Sequence, residues 1–201
     1  MAAAIGTANI GTFEMEKDDT PVWKRLDSKV LLKHPRITIV EDTVQLPSGL
    51  VTSYVRHDSR CDGVTVICLK DGQILLQREY SYPIGEVLLQ FPGGKIEDGE
   101  TPEEAGGREL KEESGFAFSR CEMLGWYYLN NRRSDAKMYA LLAEDVTPVQ
   151  KCGGDAEEDI ESFWLPVDRL KHMIAAGEVT NATVLAAWAL LEKVLAARSA
   201  L

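Results

Sequence analysis

The chain has 201 residues, of which 45% are hydrophobic and 27% are charged, as is typical of a folded globular protein. Its formal net charge of −10 disfavours nucleic acid and anionic membranes as partners. The sequence shows no zinc-ligand spacing, no disulfide framework, no signal peptide and no apolar run of transmembrane length. We therefore expect a cytoplasmic protein with reduced thiols.

The N-terminal part divides into a tail and a β-rich extension. Residues 1–20 predict a flexible tail, because small and acidic residues dominate and nothing is periodic. From Trp23 onward, β-branched runs separated by turn residues predict strands. These strands are expected at Val30–His34, Arg36–Leu46 and Leu50–His57. Residues 21–60 thus predict a β-extension ahead of a main domain that spans residues 61–201.

In the main domain, a set of strands is predicted to precede one helix, and further strands and then two helices are predicted to follow it. A hairpin is predicted across Lys70–Gly72, because Asp-Gly readily takes the positive φ angles of a tight turn. Further elements are predicted as strands at Gly63–Leu69, Gln73–Tyr80, Val87–Phe91, Met123–Leu129, Lys137–Ala143 and Glu161–Leu165, and as helices at Val167–Ala176 and Thr180–Ala197. The last helix is apolar on more than one side, which indicates packing against another surface. This order of elements predicts an α+β fold.

One further helix is marked by residues at both of its ends. Thr101 is suited to the N-cap, Pro102 to the first helical position, and Glu104 completes a capping box. The helix is predicted to run to about Ser114 and to stop at Gly115, a natural left-handed cap.

This helix carries closely spaced carboxylates. Glu109 and Glu113 lie four residues apart and share a face, which Glu112 flanks. Such carboxylates repel each other unless positive charge lies between them, although a solvated acidic face is the alternative reading. The mid-helix Gly106 and Gly107 each cost roughly 1 kcal/mol against alanine, which indicates close packing or a shape required by a site. Oxygen ligands without His or Cys indicate Mg²⁺, or else Mn²⁺.

The segment 94–116 resembles the Nudix box, G-x5-E-x7-R-E-U-x-E-E-x-G-U, in which U is a bulky apolar residue. Every fixed position matches, namely Gly94, Glu100, Arg108, Glu109, Leu110, Glu112, Glu113, Gly115 and Phe116. Resemblance to the Nudix hydrolases implies an α/β/α sandwich with a mixed β-sheet, in which the box forms a metal-holding loop–helix–loop.

The resemblance also implies roles for the box residues. The metal set comprises Glu109 and Glu113, with Glu112 ligating or close by, and Gly94. Arg108 holds the carboxylates in register, in a structural or a catalytic role. The bracing residues of the box are Glu100 and Gly115. Carboxylate-held Mg²⁺ ions would screen the charge of a diphosphate, orient it and acidify the attacking water.

From about Trp23 to Leu195 the chain is similar to the ADP-ribose pyrophosphatase branch of that family. This similarity implies a homodimer assembled through the N-terminal strands and a nucleotide-linked substrate, first ADP-ribose and otherwise another nucleotide sugar. The candidate substrate-binding residues are Trp23, Arg56, Arg78 and Gln90. Trp23 is the candidate for stacking on adenine, with a core or interface tryptophan as the alternative.

The branch places a catalytic glutamate on a loop well beyond the box. The acidic run Asp155–Glu161 lies at this distance, although such a run is also typical of a solvated loop. Glu158, which is 45 residues beyond Glu113, is the candidate general base, and Glu157 and Glu161 are its rivals.

Three departures from the branch bear on the substrate. The branch usually has an arginine at Ser81 and a glutamate at Gln90, and a proline-containing turn at Asn130–Arg133. The missing arginine removes a phosphate or ribose contact, for which Arg78, Arg132 or Arg133 could compensate. Two other functions remain open: a nucleotide-binding module without catalysis, and a hydrolase of modified nucleoside triphosphates. The strands within residues 22–60 count against the latter.

Overall fold

The computed structural model describes residues 22–58, 61–149 and 160–199. The first three strands, β1 (Lys24–His34), β2 (Ile37–Gln45) and β3 (Val51–His57), form an antiparallel sheet in the order β1-β2-β3. The tail predicted for residues 1–20 lies outside the described residues.

The predicted start of the first strand at Val30 is wrong, because β1 begins at Lys24. The pairing of β1 with β2 extends to Lys24 opposite Gln45, but its register shifts at two places along β1. Each such irregularity breaks the alternation of side chains between the two faces, so the sequence pattern of this strand is obscured.

A second, larger sheet forms the centre of the molecule. Its seven strands are β4 (Gly63–Lys70), β5 (Gln73–Ser81), β6 (Glu86–Gln90), β7 (Gly93–Lys95), β9 (Arg120–Tyr128), β10 (Lys137–Glu144) and β12 (Ile160–Pro166). The main path is β12-β5-β4-β10-β9, with β6 beside β5 and β7 beside β4. Only β4 and β10 run parallel within this set, so the sheet is mixed. A short pair, β8 (Phe116–Ala117) and β11 (Thr147–Pro148), was not predicted.

Helices cover both faces of this sheet. The helix α1 (Pro102–Ser114) packs on one face, and α2 (Val167–Ala175) and α3 (Ala182–Ser199) pack on the other. Along β4, Val66 and Cys68 contact the α1 side, whereas Ile67 between them contacts the α3 side. A strand covered on both faces is apolar over most of its length, as β4 is apart from Thr65 and the terminal Lys70. The predicted α+β fold, an α/β/α sandwich with a mixed sheet and an N-terminal β-extension, is confirmed.

The predicted ends of α1 are also confirmed. The Thr101 side chain accepts from the backbone N–H of Glu104, whose carboxylate accepts from the backbone N–H of Thr101. Gly115 ends the helix with a left-handed φ of 73°. None of the helices among the described residues is long and apolar enough to span a bilayer.

The N-terminal sheet is attached to the core through the loop that follows β9. The backbone N–H of His57 donates to the carbonyl of Arg133 at 2.7 Å, and the Tyr54 hydroxyl donates to the carbonyl of Arg132 at 2.6 Å. The Arg133 guanidinium lies 5.8 Å from the centre of the Tyr54 ring. The segment Asn130–Arg133, which departs from the expected turn, therefore joins the two sheets.

Candidate active site

The candidate site is built where the glycine turn before α1 meets the helix. Gly94 lies in β7 with its backbone against the Glu109 side chain, and a Cβ at this position would lie 2.5 Å from Glu109 Oε1. No larger residue fits this space without displacing the carboxylate. Gly94 thus permits the present close approach of the backbone strand to the Glu109 carboxylate.

Arg108 connects the carboxylates of the turn and the helix. Its Nε and Nη2 atoms donate to the two oxygens of Glu100, each at 2.9 Å. Its Nη1 atom donates to Glu109 at 2.9 Å and to Glu112 at 3.3 Å, and Nη2 also reaches the carbonyl of Lys95. The guanidinium therefore supplies positive charge to three neighbouring carboxylates, those of Glu100, Glu109 and Glu112.

Glu100 braces the turn that leads into α1. Besides its bidentate pair with Arg108, it accepts the backbone N–H of Glu97 at 3.0 Å. The hydrogen bond from Arg108, followed by the one from Glu97, lowers the pKa of the Glu100 carboxyl from 4.5 to about 2, although partial burial opposes this change.

Glu113 and Glu112 occupy different environments. Glu113 is 7% exposed, and its Oε2 atom accepts the backbone N–H of Gly93 at 3.0 Å and the side-chain amide of Gln77 at 3.2 Å. The Glu112 side chain is 58% exposed and pairs with Arg108. Glu113 is thus hydrogen-bonded from two sides, whereas Glu112 remains largely in solvent.

Gln77 is a residue of this site that the sequence did not single out. It lies on β5, is fully buried, and donates through Nε2 to Glu113 and, at 3.4 Å, to the hydroxyl of Ser162. Its Oε1 atom accepts from Gln90 Nε2 at 3.5 Å, and the same Gln90 nitrogen donates to Glu79 at 2.6 Å. The only sequence signal was a glutamine that follows three apolar residues inside a strand.

Gln90 is the candidate substrate-binding residue that is linked, through Gln77, to an α1 carboxylate. It lines a cavity of about 300 Å³ together with Thr65, Gly94 and Thr183. Through Gln77 it is also linked to Glu113. Gln90 is therefore placed both at a cavity wall and in the hydrogen-bond network behind the site.

Arg78 does not join this group. It neighbours Gln77 on β5 and therefore points to the other face of the sheet. There its guanidinium lies 4.8 Å from the centre of the Phe163 ring and pairs with Glu161 at 3.3 Å. Both Arg78 and Glu161 lie on the face covered by α2 and α3, away from the α1 carboxylates.

The other two candidate substrate contacts belong to the N-terminal sheet. Trp23 is 47% exposed and meets the Tyr54 ring edge-on at 6.0 Å. Arg56 pairs with Asp42 at 2.7 Å and with Asp58 at 3.1 Å, and it lines a cavity of about 420 Å³ beside the loop after β9. Neither residue contacts the carboxylates of α1 among the interactions of the described residues.

The candidate general base Glu158 and its rival Glu157 lie outside the described residues. Within residues 22–58, 61–149 and 160–199, no three His, Cys, Asp or Glu side chains form a ready cluster for a metal ion. The donors around Gly94 are nevertheless carboxylates and backbone carbonyls, which suit a hard cation. The Glu109 carboxylate lies against Gly94, and the Glu113 carboxylate is buried nearby. These oxygen donors lie close to the glycine turn, so the residues fit Mg²⁺ or Mn²⁺.

The mixed sheet between helices, with a glycine turn and carboxylate-rich helix on one face, defines an α/β/α enzyme whose charged site is built on a loop–helix–loop. A family profile described as "NUDIX domain" matches residues 59–188. The chain belongs to this family and is a Nudix hydrolase.

Two relatives of the chain and one solved structure carry names that concern ADP-ribose or ADP compounds. An ADP-ribose pyrophosphatase of Bacillus subtilis (strain 168) is 26% identical over 168 residues, covering 79% of this chain and 89% of that protein. The ADP compounds hydrolase NudE of Escherichia coli (strain K12) is 27% identical over 150 residues, covering 74% and 78%. A crystal structure of an ADP compounds hydrolase superposes with a TM-score of 0.79 at 23% identity, covering 89% of this chain and 95% of that chain. This structural likeness shows the fold.

Proposed function

We propose that the chain is a divalent-cation-dependent hydrolase that splits the phosphoanhydride bond of a nucleoside diphosphate derivative, with ADP-ribose, cleaved to AMP and ribose 5-phosphate, as the leading substrate. The observation that carries this proposal is the buried Glu113 carboxylate, which accepts a hydrogen bond from Gly93 next to the Gly94 backbone that lies against the Glu109 carboxylate. The names of two relatives, which concern ADP-ribose and ADP compounds, support the choice of substrate.

The cation would be held by Glu109 and Glu113, with Glu112 and the backbone of Gly94 completing the set. When bound, it would screen the charge of the diphosphate and lower the pKa of an attacking water. The work of the protein is to keep these carboxylates together against their mutual repulsion. Arg108 does so from one side, and Gly93 and Gln77 do so from the other.

We assign proton removal from the attacking water to Glu158, on the part of the acidic run that precedes β12. Glu158 precedes Ile160 by two residues in the sequence, and Ile160 pairs with Glu79 on β5. Because Glu161 lies on the opposite face of the sheet from α1, its position favours Glu158 over this rival.

A second substrate, another nucleoside diphosphate sugar, is favoured by the side chains along β5. Residues Gln77, Glu79 and Ser81 alternate onto one face of this strand, which is the face that contacts Glu113. An arginine at position 81 would contact a phosphate. This face instead presents the Glu79 carboxylate and the Ser81 hydroxyl. Such groups suit the hydroxyls of a sugar better than an additional anion.

The substrate is tested by a panel of ADP-ribose, GDP-mannose, UDP-glucose, NADH, diadenosine polyphosphates and 8-oxo-dGTP, each with Mg²⁺ and with EDTA. We expect cleavage of ADP-ribose to AMP and ribose 5-phosphate with Mg²⁺ alone. Preferred cleavage of another nucleotide sugar would replace ADP-ribose, and unchanged activity in EDTA would contradict the role of the cation.

The metal ligands are tested by Glu113→Gln, which keeps the shape of the side chain and removes its charge. We expect the fold to persist and kcat to fall at least about 100-fold, because charge screening and water activation are lost together. Steady-state kinetics and circular dichroism measure both. The control is Glu103→Gln on the same helix, which should retain wild-type kcat, and an equal kcat for Glu113→Gln would contradict the assignment.

A further inference from the structure

A partly buried amide network lies behind the candidate site and is not explained by packing. Gln77 is fully buried, although glutamine is rarely found without exposure. It contacts Glu113 on one side and Gln90 on the other, and Gln90 contacts Glu79. Two amides therefore connect a carboxylate of α1 with a carboxylate at the end of β5.

The charges at the two ends of this network fix its direction. An ionised carboxylate only accepts hydrogen bonds, so each amide must turn its NH₂ group toward the carboxylate that it contacts. Gln77 then donates to Glu113 and presents its carbonyl to Gln90. The Gln90 NH₂ group donates both to this carbonyl, at 3.5 Å, and to Glu79, at 2.6 Å. A flipped Gln77 amide would place two acceptors against each other, so one orientation prevails.

The same geometry divides the two oxygens of Glu113. Its Oε2 atom accepts two hydrogen bonds, from Gly93 at 3.0 Å and from Gln77 at 3.2 Å. These donors use both lone pairs of this oxygen, so a cation bound by Glu113 would coordinate the other oxygen, Oε1. Groups that orient a metal ligand in this way commonly contribute 10- to 100-fold to metal affinity.

We propose that Gln77 is a positioning residue that orients Glu113 for a divalent cation, and that Glu79 holds Gln77 in place through Gln90. This inference rests on the proposed function in taking Glu113 as a metal ligand. It adds a cross-strand network, from β5 and β6, that the residues of α1 and its turn do not contain. Gln77 itself contacts neither cation nor substrate.

The test measures Mn²⁺ binding in the absence of substrate. Gln77→Met replaces the amide by an apolar side chain of similar length, and Gln90→Met removes only the outer link. The matched control is Gln73→Met, an exposed glutamine at the start of the same strand. Mn²⁺ affinity is measured by isothermal titration calorimetry and by electron paramagnetic resonance of free Mn²⁺, and folding by thermal unfolding.

We expect Gln77→Met to weaken Mn²⁺ binding about 10-fold or more, Gln90→Met to weaken it less, and Gln73→Met to bind as the wild type does. A raised Mn²⁺ concentration should also restore most of the kcat that Gln77→Met loses, which a purely structural defect would not allow. If Gln77→Met does not fold, the affinity of Gln90→Met decides, and wild-type affinity in the folded variants would overturn the proposal. A wild-type protein that binds no Mn²⁺ would overturn the metal site itself, and with it this role.

Discussion

Arg108 shows how a single side chain permits a cluster of like charges. Glu109 and Glu112 repel each other on the helix surface, and the Glu100 carboxylate lies in the turn beside them. Because the guanidinium is planar and has five N–H donors, it contacts all three at once, as a lysine could not. The hydrogen bond to Glu100 in particular raises the pKa of Arg108, so its charge is fixed at every working pH.

At the residue scale, Glu100 predicts a defined response to acid. Its pKa in the folded protein, about 2, lies below the ordinary value of 4.5, so its contact with Arg108 stabilises the fold fully above pH 4.5. This contribution is lost as the pH falls from 4.5 toward 2. We expect Glu100→Gln to have a flatter pH dependence of the free energy of unfolding in this interval, measured by urea titration followed by circular dichroism. Parallel curves for the two proteins would contradict the prediction.

The residue at position 81 is expected to affect substrate affinity, and here it is Ser81. Its side chain lies on the same face of β5 as Gln77, and its carbonyl accepts the backbone N–H groups of Ile84 and Gly85 in the following turn. If the diphosphate of the proposed substrate binds on this face, an arginine here would contact it, and such a charge-assisted contact contributes roughly 1.5–3 kcal/mol. We therefore expect Ser81→Arg to lower the KM for ADP-ribose about tenfold, measured by steady-state kinetics.

A control separates this site from the loop after β9. Arg132→Ala should leave the KM for ADP-ribose unchanged if phosphate recognition lies at the end of β5. A KM that stays constant in Ser81→Arg but rises sharply in Arg132→Ala would place recognition in that loop, and would favour a nucleotide sugar other than ADP-ribose.

Within α1, the two central glycines, Gly106 and Gly107, differ in the contacts that an added Cβ would make. A Cβ at Gly106 would lie 2.8 Å from Leu141 Cδ1 and 3.1 Å from Val66 Cγ2, so this glycine lets the helix approach the sheet. A Cβ at Gly107 would meet only the Phe118 ring, at 3.7 Å, which is an ordinary contact. Close packing, one of the two readings of the sequence, thus explains Gly106 and not Gly107.

Substitution by alanine at Gly106 and at Gly107 is expected to have opposite effects on the stability of the protein. We expect Gly106→Ala to destabilise the protein by about 1–3 kcal/mol through overpacking. Gly107→Ala should stabilise it by up to about 1 kcal/mol, because alanine is the better helix former. Chemical denaturation of both variants measures these changes, and each serves as the control of the other. Equal changes in the two variants would contradict this account of α1.

At the scale of the whole molecule, β1 exposes an apolar surface. Leu26, Val30, Leu31 and Leu32 are each more than half exposed, on an edge strand of a three-stranded sheet. So small a sheet gains little from burying its apolar side chains alone. We therefore propose that residues 21–60 form the dimer contact and that residues 61–201 form the hydrolase domain.

Light scattering tests this assembly. We expect a particle of twice the chain mass of 22.3 kDa at micromolar concentration, and we expect Val30→Asp to yield monomers because it would bury a charge in the interface. The control is Val87→Asp, which places the same charge at an exposed position of β6 and should remain a dimer. A wild-type protein of 22.3 kDa would contradict the proposed dimer.

The parts of the fold that the sequence predicted depend on near neighbours along the chain. The capping box, the left-handed Gly115 and the face shared by Glu109 and Glu113 each involve residues within a few positions, so helix geometry determines them. Most strands follow likewise from alternation and turn residues. The start of β1 was missed because its irregular pairing hides the alternation.

The tertiary structure alone decided which side chains share the site. Ile74, Leu75 and Leu76 are all buried, so the sequence of β5 does not reveal which face α1 covers. That choice places Gln77 beside Glu113, and it turns Arg78, one residue further, toward Phe163. Local periodicity determines which residues lie on the same side of an element. Which side faces a given partner depends on contacts between distant parts of the chain, and these form only when the sheet and its helices pack together.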